Sequence, residues 1–166
     1  MKAHQGRVWK FGDDVDTDLI VPGRYLMYEL PEIASHVMEG IRPGFADLIQ
    51  KGDIIVAGDN FGMGSSREVA TRALVESGIV AVVARSFARI FFRNAINVGL
   101  APVECAEANV IAEGQTIRID FDLGEVLIVE TGIRLAAGSL PPGVAAIMEA
   151  GGLVEFIRTR ADGNSA

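Results

Sequence analysis

Asp53-Ile54-Ile55-Val56-Ala57-Gly58-Asp59-Asn60-Phe61-Gly62-Met63-Gly64-Ser65-Ser66-Arg67-Glu68, continued by Val69 to Ser77, reads as a strand, a tight loop and a helix in succession. The five residues before Gly58 are mostly apolar and β-branched, as in a strand. Gly58, Gly62 and Gly64 let the backbone turn sharply and approach a ligand closely. After them Val69, Ala70, Ala73 and Leu74 fall on one helical face, with Glu68, Arg72 and Glu76 at four-residue spacing on another. Gly78 stops the helix. A helix start offers free N–H groups and partial positive charge, a natural seat for a carboxylate or phosphate. A plainer reading competes, because Ser65-Ser66-Arg67-Glu68 also matches the capping box, with Ser65 as N-cap. The glycines fit neither a P-loop, since no Gly-Lys-Ser/Thr follows, nor a dinucleotide fingerprint, which needs a third glycine at the right offset. What exceeds a plain cap is the second hydroxyl and the guanidinium crowded among the glycines.

Working outward, Ile79 to Ala84 is a nearly uninterrupted apolar run and predicts a strand buried on both faces of a parallel sheet. Arg85-Ser86 then opens a helix with Ser86 as N-cap, a buried stripe of Phe87, Ile90, Phe91, Ala95 and Val98, and Gly99 as its stop. Arg85, Arg89 and Arg93 recur on another face, a pattern that is most often solvated. Leu100 to Val103 is a short strand. Gln115 to Phe121 and Glu125 to Thr131 alternate around Asp122-Leu123-Gly124, a hairpin signal. Pro141-Pro142-Gly143 precedes a short helix to Ala150, and Leu153 to Ile157 reads as a last strand. Upstream, Gly6 to Phe11 is the first strand, with Val8 and Lys10 on the opposite face from Trp9 and Phe11. Short helices are expected from Pro31 to Glu39 and from Phe45 to Gln50. The fold class is therefore α/β, with a mixed, partly parallel sheet and flanking helices. Residues 1–158 form one domain and 159–166 a flexible tail.

Composition narrows the function. The 166 residues carry a net charge of -7 and a pI near 4.8, which argues against nonspecific nucleic-acid binding. The longest apolar run, Gly78 to Ala84, is far short of the ~20 residues of a membrane span. No apolar signal core follows Met1, so a cytoplasmic location is expected. Cys105 is the only cysteine, and His4 and His36 lack metal-ligand spacing, so no metal site is expected on this chain. His4 belongs to a mobile start and His36 is a polar position on a short helix. Asp14-x-Asp16-x-Asp18 begins like an EF-hand loop, but Leu19 and Tyr25 stand where glycine and glutamate belong, and local backbone-bonding turns explain the carboxylates better. Arg24-Tyr25-Leu26-Met27-Tyr28-Glu29 follows a Pro-Gly turn. An apolar loop of this kind either packs under a partner or lines an apolar pocket.

Three landmarks, Gly12-Asp13-Asp14-Val15-Asp16-Thr17-Asp18, Gly58 to Glu68, and Arg85-Ser86-Phe87-Ala88-Arg89-Ile90-Phe91-Phe92-Arg93-Asn94-Ala95-Ile96-Asn97-Val98-Gly99-Leu100, together resemble the small subunits of 3-isopropylmalate dehydratase. These are equivalent to the swivelling domain of aconitase-type enzymes. The resemblance runs from about Gly6 to Ile157 and implies a swivelling-domain β/β/α architecture. It implies isomerisation of 2- and 3-isopropylmalate by dehydration and rehydration, as in leucine biosynthesis. It places a 4Fe–4S cluster on a separate large subunit, with which the chain forms a heterodimer or heterotetramer. Ser65 would be the alkoxide base, and Ser66 and Arg67 would hold a substrate carboxylate. Tyr25, Leu26 and Met27 would contact the substrate. Relatives that handle a tricarboxylate place an arginine where this chain has Met27, so Met27 implies an alkyl group there. The chain departs from the family at Val69, where His is common. Citramalate, dimethylmalate and homoaconitate types remain as alternative substrates. A noncatalytic anion-binding or regulatory subunit and a scaffold with Ser65 as a cap are the readings outside catalysis. A serine hydroxyl is a weak base unless ionised, because its proton is held about as tightly as that of water. A helix start supplies at most ~2 kcal/mol, or one to two pKa units at ~1.36 kcal/mol each. Oriented donors, Arg67 and a water-excluding interface must supply the rest.

Overall fold

The computed structural model describes residues 1–163. Its seven strands form one sheet: β1 (His4–Lys10), β2 (Ile54–Ala57), β3 (Ala81–Ala84), β4 (Ala101–Glu104), β5 (Thr116–Asp120), β6 (Glu125–Ile128) and β7 (Arg134–Ala136). Their order is β4-β3-β2-β1-β5-β6-β7. The first four strands are mutually parallel, and β1-β5-β6-β7 run antiparallel. The parallel half needs long crossovers, and the sequence supplies helices there. α1 (Thr17–Ile20), α2 (Leu30–Ala34) and α3 (Phe45–Leu48) lie between β1 and β2. α4 (Glu68–Ser77) joins β2 to β3, and α5 (Arg89–Val98) joins β3 to β4. α6 (Pro142–Glu149) and α7 (Leu153–Gly163) close the chain.

Every residue of β2 and β3 is buried. Because successive side chains alternate in direction, each strand feeds two cores. Ile55, Ala57, Val82 and Ala84 meet the helical layer, with Ala70, Ala73 and Leu74 of α4 and Phe91 and Ala95 of α5. Ile54, Val56, Ala81 and Val83 point the other way, toward Ile117, Ile119, Val126, Ile128 and Leu135 of the antiparallel half. The curled sheet therefore packs its two halves against each other across one face and takes helices on the other. Val8 joins the second core while Trp9 and Phe11 join the first, as their alternation predicts.

Several expectations are corrected. Leu153 to Ile157 is the start of α7, not a strand. Gly151 and Gly152 hold φ of 89° and 123°, and the Phe156 N–H then donates to Gly152 O at 3.0 Å, which begins a helix. Leu153, Phe156 and Ile157 also fit helical spacing, which a five-residue apolar run leaves undecided. α7 extends through 159–163, where a tail was expected, and the last three residues lie outside those described. His4 is not in a mobile start. It pairs with Ile119 in β1, edge-on to Phe121 with ring centres 5.4 Å apart. His36 follows α2 in a run of turns. β7 was not foreseen.

Ser86 does not cap α5. The helix begins three residues later, after Ala88. Phe61 N–H donates to Ser86 O, and Ala88 N–H donates to Phe61 O, both at 3.0 Å. This bridge, centred on Phe87, keeps 86–88 out of the helix, and the Ser86 hydroxyl accepts from Asn60 N–H at 2.8 Å instead. Arg85 consequently lies off the helix that carries Arg89 and Arg93. Ile90, expected inside, is 50% exposed, while Ile96 is buried in the second core.

Candidate active site

Loops at the carboxyl ends of β1, β2 and β3 converge, where open parallel sheets commonly bind ligands. Hydrogen bonds stitch them together. Gly58 N–H donates to Gly12 O, Asp14 N–H to Asp59 O, Gly62 N–H to Val15 O and Thr17 N–H to Met63 O, at 2.7–3.1 Å. Arg85 N–H donates to Gly58 O from the third loop. The side chains add to this. Asp13 accepts from Asp59 N–H at 2.7 Å and from Arg85 at 3.1 Å. The Asp59 amide, and then the Arg85 guanidinium, hold the Asp13 carboxyl below its usual range. The acidic stretch thus makes backbone-bonding turns, as read from sequence, and Asp16 caps α1 by accepting from Leu19 N–H at 2.8 Å.

Gly62 shows why the loop needs glycine. Its φ is +81°, and a Cβ there would lie 2.1 Å from Phe91 Cγ. Absence of a side chain lets the loop rest on α5. A pocket of about 320 Å³ opens between them. Thr17 comes from α1, Gly64 to Arg67 from the central loop, and Arg89, Ile90 and Asn94 from α5.

Ser65 is exposed in this pocket and is not the helix cap. Arg67 occupies the N-cap position of α4 without a capping side-chain bond. The Ser65 carbonyl takes the Arg67 N–H at 2.9 Å and the Thr17 hydroxyl at 3.0 Å, which draws Ser65 into the turn before the helix. The Thr17 and Ser65 oxygens are 3.5 Å apart. Thr17 has one proton, directed at the carbonyl, so Ser65 is the donor in that long contact. Freed from capping, the Ser65 hydroxyl can meet a ligand at the positive end of a ten-residue helix.

Arg67 is half-buried, and its Nη1 lies 2.5 Å from Asp18 Oδ1. That nitrogen is buried and makes no hydrogen bond of good geometry, so the ion pair leaves donor capacity for an incoming carboxylate. Two hydroxyls and two guanidiniums, Arg67 and Arg89, can therefore hold a small acid and present an oxygen to a C–H. Ser65, Ser66 and Arg67 are brought together. Tyr25, Leu26 and Met27 are not among the described residues that line the pocket. Tyr25 and Leu26 pack partly against the helical core, and Met27 is 94% exposed. Thr17, Asp18, Arg89 and Asn94 were not singled out as site residues from sequence. The acidic run and the arginine stripe were the signals that contained three of them.

The sequence and the fold match a known class. Residues 44–108 match the aconitase C-terminal domain family. The chain is 50% identical over 155 residues to 3-isopropylmalate dehydratase small subunit 1 of Archaeoglobus fulgidus, covering 93% of this chain and 96% of the relative. It is 52% identical to the methanogen homoaconitase small subunit of Methanothermobacter thermautotrophicus, over 93% and 91% of the two chains. The crystal structure of 3-isopropylmalate dehydratase from Methanocaldococcus jannaschii superposes with a TM-score of 0.93 at 45% identity, over 99% of this chain and 98% of that one. The chain belongs to the family of 3-isopropylmalate dehydratase small subunits, within the aconitase-type hydro-lyases.

Proposed function

We propose that this chain is the small subunit of a hydro-lyase that interconverts 2- and 3-isopropylmalate in leucine biosynthesis, in the cytoplasm. The supporting observation is the convergence of Ser65, Ser66 and Arg67 with Thr17 in one pocket, with Ser65 released from capping. Arg67 and Ser66 hold a substrate carboxylate, and Ser65 Oγ removes and returns the proton beside it. Thr17 fixes the turn that aims Ser65 by bonding its carbonyl. Exposed as it is, Ser65 gains too little from the helix to ionise, so a second chain must cover the pocket. Cys105 is a lone buried thiol, and no group of three potential metal ligands occurs among the described residues. The donors here do not fit a 4Fe–4S cluster, which the reading assigns to a large subunit in a heterodimer or heterotetramer. The purified chain alone should show no turnover.

Met27 favours an alkyl-bearing substrate over the homoaconitate type that one relative's name raises. The test is an anaerobic assay of the chain with its large subunit on 2- and 3-isopropylmalate, citramalate, dimethylmalate and homocitrate. Activity confined to the isopropylmalates supports the reading. Preference for a smaller methyl-substituted acid keeps the mechanism but changes the pathway. A stable complex inactive on all of them points to a regulatory subunit. Met27→Arg should shift preference toward homoaconitate-type substrates, and an unchanged rate ratio would remove Met27 from the argument.

A further inference from the structure

The loop between α1 and α2 combines tight anchoring with an exposed apolar tip. Glu39, in the turns after α2, accepts from Arg24 Nη2 at 2.6 Å and from Tyr25 OH at 3.1 Å on one oxygen. Its other oxygen lies 2.6 Å from His36 Nδ1. The Tyr25 ring stacks on His36 with centres 3.8 Å apart and planes 5° from parallel, and Arg24 lies over Tyr25 at 4.8 Å. Three stacked side chains are thus bound to one carboxylate. The root of the loop is fixed as well: Ile20 and Val21 are fully buried, and Met38 N–H donates to Ile20 O at 2.9 Å. Past this clamp, Met27 and Tyr28 face solvent. α1 is only four residues long and carries Thr17 of the pocket at its other end, so the clamped loop is tied to the pocket wall through a rigid segment.

A single exposed ion pair would contribute little. Here one carboxylate gathers a guanidinium, a phenol and an imidazole, while ring stacking sets their order. Holding such a loop before its partner arrives removes the ordering cost from the binding step. We propose that Glu39 is a positioning residue that fixes the Arg24–Tyr28 loop so that Met27 meets the alkyl group of the substrate. This rests on the isopropylmalate reading above.

The test uses the full chain, alone and reconstituted with its large subunit, as wild type, Glu39→Ala and Glu39→Gln. Chymotrypsin probes the loop, since it cuts beside Tyr25, Leu26 and Tyr28. Glu39→Ala should raise cleavage within 25–28 and raise KM for isopropylmalate about tenfold, with kcat nearly unchanged, the pattern of lost uniform binding. It should also lower the isopropylmalate-to-citramalate preference by about tenfold, within the scale on which apolar contacts discriminate. Glu39→Gln, which keeps an acceptor for Arg24 and Tyr25, should restore most of both. If Glu39→Ala does not fold, Arg24→Ala, at an exposed donor, is read in the same way for a smaller effect. Unchanged cleavage overturns the clamp, and faster cleavage with an unchanged preference overturns its role in substrate choice. A wild-type complex that turns over no hydroxy acid defeats the functional reading and the substrate role with it, while the cleavage rates still decide whether Glu39 holds the loop.

Discussion

The parallel and antiparallel halves of the sheet are built on the same hydrogen-bonding grammar but differ in what their connections can carry. In β2 and β3 every residue is buried, whereas β5 and β6 alternate between buried and more accessible positions. β5 returns as β6 through a tight turn, in which Asp120 Oδ1 accepts from the N–H groups of Asp122 and Leu123 at 3.1 and 2.9 Å. That turn is occupied with its own closure. A parallel strand must instead send the chain back to the opposite end of the sheet, and the residues between strand and helix are free to lean on neighbouring loops. The three such loops after β1, β2 and β3 bond to one another and leave Ser65, Ser66 and Arg67 facing a shared cavity. The same topology that requires burial on both faces thus creates the place where a polar site is built.

Ser65→Ala should separate chemistry from structure most sharply. Losing a general base costs about 10²- to 10⁴-fold in rate. Since Ser65 does not cap α4, its removal should cost well under the ~1 kcal/mol of a lost cap, measured by denaturant unfolding. Normal turnover would end the catalytic reading, and loss of turnover with substrate binding retained would exclude the regulatory one. Gly62→Ala should come next. It places a Cβ against Phe91 at positive φ, and overpacking costs typically ~1–3 kcal/mol, to which the left-handed backbone adds ~1–2. A lowered unfolding midpoint together with lost turnover would show that the loop's seat on α5 shapes the pocket.

Asp13 gives a pH signature. Its folded pKa is depressed, so its stabilisation is fully present above the unfolded carboxyl value of about 3.9 and is lost as pH falls through the lower folded value. Asp13→Asn should lower stability most at neutral pH, where the contribution is fully present, and flatten the acid limb in that window, the two proteins converging below the folded value. An identical acid limb would show that the loops close without this charge. The smallest effect belongs to the antiparallel half. Arg134 pairs with Glu125 at 2.9 Å at the exposed sheet edge, and Arg134→Ala should change stability by at most ~1 kcal/mol and leave turnover untouched. A loss of activity there would break the division between the two halves.

The strands of both halves were legible in the sequence because their signals are local. Ile54 to Ala57 and Ile79 to Ala84 are apolar runs, and the residues flanking Asp122-Leu123-Gly124 alternate. β7 was missed because three residues, only one of them buried, carry no periodicity. The helix starts were misjudged for a different reason. Ser65 and Ser86 look like caps by spacing, but each is recruited by a distant segment, Ser65 by Thr17 and Ser86 by Asn60. The start of α7 is ambiguous in sequence because apolar spacing over five residues does not separate helix from strand.

The sequence by itself determined the alternation of strand and helix, the glycine-rich loop with its two serines and arginine, the hairpin, and the lone cysteine that leaves no thiolate set for a cluster. These depend on residues within a turn or two of one another, or on composition alone. Only the tertiary structure decided that Thr17 meets Ser65 across 48 residues, that Asp18 faces Arg67, and that Met27 stands outside the pocket on a loop clamped by Glu39. Such pairings are set when loops from separate strands compete for the same donors and acceptors. That competition is resolved by the register of the sheet, which no local pattern contains.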